Sequence, residues 1–270
     1  MNWRRIGVIL RFDLRHGTLK ARGLIFLVPF LLFWYSIIQS FSRDVSTWLS
    51  EQDGLMLLGA LFDPATAAAL FVGHPPLLSV FFLLALSTAP LFTILAAFDQ
   101  FSSDIGSGYF RLLSMRCRRL ELFAARYLAA LCLLLVAHAV IGAAGLWVSI
   151  YQDGYEFAGA VAYLGQILLT ILIYLCPFIA YMALISALTR SAIGSLVLGM
   201  IGYLLVLGAI WLGNLIVQDG AYFNYLLPSA LKYRLFGMDA LASIAAIAVL
   251  PLYTLAYGWA AWAVFRSRNF

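Results

Sequence analysis

The sequence predicts an all-α polytopic membrane protein, with six transmembrane helices behind an N-terminal amphipathic interfacial helix and both termini cytoplasmic. Three observations carry this expectation. Of the 270 residues, 64% are hydrophobic and only 11% charged, whereas a soluble domain is nearer half apolar and a quarter charged. Six long runs contain no Asp, Glu, Lys or Arg. The basic residues between those runs fall almost entirely on alternate connections, the asymmetry that orients a chain in a bilayer. No length is left over for a separate soluble domain, so 1–270 reads as one transmembrane unit.

The elements follow in chain order. In residues 1–22, charge is spread through Arg4, Arg5, Arg11, Asp13, Arg15, Lys20 and Arg22. An export signal would turn apolar soon after its basic start, so this segment is expected to stay. On a helical wheel Trp3, Ile6, Leu10 and Leu14 share one side, with Arg4, Arg11 and Arg15 about 100° away. That is the pattern of a helix lying among lipid headgroups.

Spans are expected at 23–41, 77–98, 127–150, 158–188, 192–217 and 240–265. Several are longer than a bilayer needs, which predicts tilt, and Pro90, Pro177 and Pro251 predict kinks. Residues 42–76 and 218–239 read as outer-side loops. Within the first, 54–73 is apolar and long enough to cross, but Asp63-Pro64 would set an acid and a helix breaker near the bilayer centre. It is read as surface helices instead. Counting it as a span would also carry the arginines of 111–119 outside.

With the N-terminus inside, the cytoplasmic side holds six basic residues in 1–22. It also holds Arg111, Arg116, Arg118, Arg119, Arg126, Arg190, Arg266 and Arg268, making 14 of the 17 Lys and Arg. Only Arg43, Lys232 and Arg234 fall outside. Net charge is +5, which speaks to orientation and lipid contact rather than to nucleic acid, since no basic domain exists to carry it.

Chemistry of its own is hard to place on this chain. A P-loop needs Lys followed by Ser or Thr, yet Lys20 precedes Ala21 and Lys232 precedes Tyr233. No span carries a carboxylate, which removes an aspartyl dyad, and no His-Glu-x-x-His metal site occurs. The three cysteines have neither metal-ligand spacing nor a disulfide framework. Inside the spans only His138 is ionisable, and it serves either as a polar site or as a hydrogen-bonded packing residue. The expectation is no enzyme, no catalytic residue, no metal and no resident cofactor, with energy supplied by another subunit.

Residues 99–121 are the informative segment. Glycines at 106 and 108 break the end of the second span, and Phe110, Leu113, Cys117 and Leu120 then recur at helical spacing among arginines. A short amphipathic helix here suits docking onto a partner; positive-inside topology explains the arginines but not the glycine break.

The order of residues resembles the membrane subunits of ATP-binding cassette exporters of the second (ABC-2) permease class. An acid, Asp99, ends span two; Gly108 turns the chain; Leu112-Leu113-Ser114 and Arg119 follow, then Glu121 and Arg126 lead into span three. The family's Pro-Val/Leu-Ser before the Arg is replaced by Arg116-Cys117-Arg118. The resemblance implies a permease working as a dimer, with a second copy or a similar permease. It implies two separate ATPase subunits that hold ATP and magnesium, and a home in the bacterial inner membrane. It makes 99–121 a coupling-helix loop, with Tyr109, Phe110, Arg111, Leu113, Arg116 and Arg119 as ATPase contacts. Ser191, Ser195 and Gly199 form a small-residue stripe on span five, where the family's dimers meet; the stripe serves equally for packing inside one subunit. The competing reading is a non-transporting scaffold or immunity or assembly factor that anchors a partner complex.

Overall fold

The computed structural model describes residues 3–19, 21–41, 70, 74–115, 117–151, 154–217, 220–235 and 240–268. Among them it is helical throughout, without strands. In chain order the helices are α1 (Trp3–Leu19), α2 (Ala21–Phe41), α3 (Pro76–Ala97), α4 (Ser102–Gly106) and α5 (Tyr109–Ser114). Then come α6 (Arg119–Tyr151), α7 (Phe157–Leu188) and α8 (Ala192–Ile216). Two 3₁₀ turns (Gly220–Leu226 and Pro228–Leu231), the short α9 (Lys232–Leu235) and α10 (Ala240–Ser267) complete the chain. Six of these, α2, α3, α6, α7, α8 and α10, are long and apolar enough to cross a bilayer, so the chain is a multi-pass membrane protein by length and composition. The segment 54–73 lies, apart from Leu70, outside the described residues, as does Arg116.

Boundaries follow the expected runs closely, with one informative exception. The third crossing was expected from 127, but α6 begins at Arg119. Its first turn carries Glu121, whose Oε2 accepts the backbone N–H of Arg118 (3.3 Å). A carboxylate reaching back to the N-cap amide satisfies a donor that the helix leaves open and complements its dipole. The helix therefore starts two turns before the apolar run does. Each of α2, α3, α7 and α10 continues through an internal proline, at Pro29, Pro90, Pro177 and Pro251.

Packing ranks the spans. In their apolar windows α3 is 67% and α7 56% buried, while α8 is only 11% buried. α3 and α7 are thus the centre, and α8 lies at the edge with most of its surface turned to lipid or to a neighbour. The core between α2, α3 and α6 is aromatic: Phe30 meets Phe92 edge-on at 5.0 Å and Trp34 packs on Phe81 at 5.0 Å.

The small-residue stripe on α8 faces inward. Ser195 and Gly199 are buried, and a Cβ on Gly199 would sit 2.8 Å from Met182 Sδ on α7. Tyr181 Oη donates to the Gly199 carbonyl at 3.0 Å. Ser191 caps α8, its Oγ accepting the Gly194 N–H at 3.0 Å. Of the two uses the stripe could serve, the structure shows packing inside one subunit, where the missing side chain lets α8 approach α7. Gly199→Leu is accordingly expected to cost about 1–3 kcal/mol through overpacking, seen as a lower unfolding temperature at unchanged oligomeric mass. Loss of a dimer with unchanged protomer stability would contradict this placement.

Candidate functional site

The bundle has two distinct ends. At one, α1 lies against the start of α6, the α4–α5 loop folds beneath the spans, and the C-terminus closes the far side. Arg119 Nη1 donates to the carbonyls of Arg266 (2.5 Å) and Arg268 (3.2 Å), and Arg268 Nη2 to that of Leu188. Both described chain ends therefore share this face with nearly all the described Lys and Arg. The other end holds residues 154–156 and the short turns of 220–235.

The loop is built by helix ends that cap one another. α3 stops at Ala97, and Asp99 Oδ1 accepts the Ser102 hydroxyl (2.8 Å) and the Ser103 N–H (2.9 Å). The next two open amides, of Phe101 and Ser102, donate to Ser186 Oγ on α7 at 2.8 and 3.0 Å. A side chain 84 positions away thus supplies the N-terminal cap of α4. Gly106 ends that helix against the α7–α8 connection, so close that a Cβ would lie 2.1 Å from the Arg190 carbonyl oxygen. Gly108 then takes φ +70°, a left-handed conformation that side-chain-bearing residues disfavour, and α5 starts at once.

Two further contacts seat the loop. Phe101 and Phe110 enter a small apolar core with Leu122, Ala183, Ala187, Ala261 and Phe265. Phe110 is 1% exposed and meets Phe265 edge-on at 5.4 Å, while Phe101 lies 5.0 Å from the same ring. The second is electrostatic. Arg126 on α6 pairs through Nε with Asp13 of α1 (3.1 Å) and through Nη2 with Asp104 of α4. These side chains are only 16%, 10% and 18% exposed, so one guanidinium ties the N-terminal helix, the loop and the third span together. Glu121, buried beside them, lies 3.9 Å from Arg5 Nη1.

The residues expected as ATPase contacts lie in different settings. Tyr109 is 41% exposed and Leu113 half-buried. Phe110 points into the bundle as the anchor of α5, its ring packed against those of Phe101 and Phe265. Arg119 turns sideways to cap α10. Arg111 lies on α5 with only its backbone described. The outward positions are Leu112 (61% exposed) and Met115 (79%). Helical spacing had joined Phe110 and Leu113 into one apolar face, and Leu112 and Met115, the other i, i+3 pair, form the opposite one. An apolar residue on each face of a short helix is the signal that finds them.

His138 lies far from this end of the fold. It is fully buried on α6, packed on Phe30 at 5.1 Å, with Nδ1 2.8 Å from the Leu134 carbonyl. A carbonyl only accepts, so Nδ1 carries the proton and the ring is held by its own helix. That is the geometry of a packing residue. Among the described residues no group of three His, Cys, Asp or Glu converges as a metal site would require.

No protein-family model matches the chain, and no curated protein matches it.

Proposed function

We propose that this chain is the membrane subunit of an ATP-driven exporter of the ABC-2 permease class, working in the inner membrane of a bacterium as one half of a permease dimer. Two ATPase subunits, which hold the ATP and magnesium, dock on α5. The face bearing the termini and most Lys and Arg is then cytoplasmic, as the positive-inside tendency requires, and α1 is the interfacial helix beside span one. The observation that carries the reading is the α4–α5 platform itself. A loop needed only to join two spans would not require a cap borrowed from α7, a left-handed glycine, a three-ring apolar core and a buried double ion pair. A loop that must transmit force from a partner requires such seating, because a docking surface couples to the spans only if it moves with them.

The test places a photo-crosslinking amino acid at Leu112 or Met115, and at Leu226 on the opposite end as a control. The subunit is co-expressed with a candidate Walker-A ATPase. Crosslinks to the ATPase at 112 and 115 but not at 226 are expected. Leu112→Glu and Met115→Glu should lower stimulated ATPase turnover by roughly tenfold, about 1.4 kcal/mol of docking free energy, with the unfolding temperature almost unchanged. Crosslinks to a protein lacking ATPase motifs would favour a scaffold instead, and no crosslink with unaltered turnover would sink the coupling role.

A further inference from the structure

The N-terminal helix carries a surface that the α4–α5 platform does not use. One side of α1 rests on the bundle: Ile6 is 2% exposed, Leu10 and Leu14 are half-buried, and Ile9 packs against the core that seats Phe101 and Phe110. The helical wheel groups Ile6, Leu10 and Leu14 as the apolar side of an interfacial helix. In the fold that side is taken up by protein contact, so α1 turns a second surface outward.

That surface is basic along its middle and apolar at its edges. Arg4, Arg11 and Arg15 are exposed and fall within about 40° of one another around the helix. Val8 and Phe12 flank them on one side and Trp3 on the other, exposed by 66%, 50% and 68%. Arg11 and Arg15 have no ion pair or hydrogen bond among the described residues. Asp13, the one carboxylate of α1, is turned the opposite way, to Arg126 of α6. The depth of the helix follows from its neighbours. Its ion pairs reach α6 at Glu121 and Arg126, just ahead of the apolar run that starts at Tyr127. It ends at Leu19, and the first span begins as α2 at Ala21. The helix is thus held where the spans leave hydrocarbon, at the level of lipid head groups.

Water would suit the arginines but leave Val8, Phe12 and Trp3 bare, while hydrocarbon would suit those three and not a row of guanidiniums. The boundary of an anionic leaflet suits both, since acyl chains take the apolar flanks and phosphates the cations. In a zwitterionic head group the phosphate is already accompanied by its own ammonium. We propose that the outward surface of α1 binds anionic lipid in preference to zwitterionic lipid. Arg11 and Arg15 meet the head-group phosphates, and Val8 and Phe12 lie among the upper acyl carbons. The inference rests on the reading of α1 as an interfacial helix, names the lipid that the helix takes, and does not involve the ATPase.

The test uses the full chain in nanodiscs of phosphatidylglycerol and phosphatidylcholine in equal amounts. A photo-crosslinking amino acid replaces Val8, and the captured lipid is identified by mass. Phosphatidylglycerol should predominate among the adducts by about fivefold or more, the factor that one arginine contributes at a membrane surface. Raised salt should erode the preference. Arg11→Gln with Arg15→Gln should bring the two adducts near parity. Arg118→Gln with Arg190→Gln removes the same charge from exposed positions of the same face and should leave the preference in place. Both pairs replace exposed side chains, so the unfolding temperature should stay near that of the parent. Equal capture of the two lipids by the parent chain leaves α1 at the interface and overturns the anion preference. Capture of protein, or of nothing, removes the interfacial reading and the proposal with it. If the Arg118 and Arg190 pair abolishes the preference as completely as the Arg11 and Arg15 pair, the whole basic face attracts lipid diffusely and α1 is no site.

Discussion

Arg126→Leu is expected to destabilise the protein by about 3–5 kcal/mol, the usual consequence of removing one member of a buried ion pair. The guanidinium sits between Asp13 and Asp104, and all three side chains are largely shielded. Taking away the cation leaves two carboxylates close together without the guanidinium they share. They must then repel, draw in water or take up protons, and each response pulls α1 or α4 off α6. The effect would register as a fall in unfolding temperature and in the yield of folded protein from membranes. A second variant isolates the cause: Arg126→Leu with Asp13→Leu and Asp104→Leu removes the stranded charges and should recover much of the loss, because well-packed apolar replacements of buried ion networks are often neutral. If Arg126→Leu alone stays within about 0.5 kcal/mol of the parent, the triad is a surface pairing and does not hold the N-terminal helix.

That triad shows where reading the sequence stops. Arg126 stood out as a matching position ahead of span three, and Asp13 as one acid in a basic helix; nothing local says that they meet. The spans, by contrast, are legible to within a residue or two, because lipid imposes the same demand on every residue of a crossing and the apolar run records it directly. The start of α6 was missed for a related reason: Glu121 opens the helix through a hydrogen bond, while hydropathy reports only the part that crosses.

The candidate site was legible in outline and not in detail. Gly108 could be recognised as a breaker because a left-handed turn leaves a compositional mark. Ser186 could not be recognised as the cap of α4, since that requires knowing that α7 ends beside it. The Ser195–Gly199 stripe signals close approach without naming the helix approached. A cavity at the opposite end is the extreme case: Ser87, Tyr174, Tyr203 and Lys232 come from four separate elements, each unremarkable in its own run, and only the fold brings them to one space.

Phe110→Ala is the other variant with a large expected effect, about 3–5 kcal/mol for deleting a buried aromatic ring. Phe110 is the plug of the small core formed with Phe101 and Phe265, so its loss opens a cavity where four elements meet and frees α5 from the spans. Leu112→Ala, two positions on and 61% exposed, should change stability by less than about 0.5 kcal/mol. The contrast separates seating from docking. If α5 transmits partner motion, Phe110→Ala should weaken the coupling of ATP turnover to the membrane subunit by loosening the platform, with a matching fall in unfolding temperature. Leu112→Glu should weaken it by spoiling the contact, with no such fall. Gly106→Ala approaches the first outcome from the other side: its Cβ would meet the Arg190 carbonyl, and since that neighbour is backbone, α4 itself must move. Thermal unfolding and partner-stimulated turnover, measured on the three variants together, decide the matter. If Phe110→Ala and Leu112→Glu fall equally in both readouts, the platform and its exposed face are not separate devices, and α5 is only a connector between two spans.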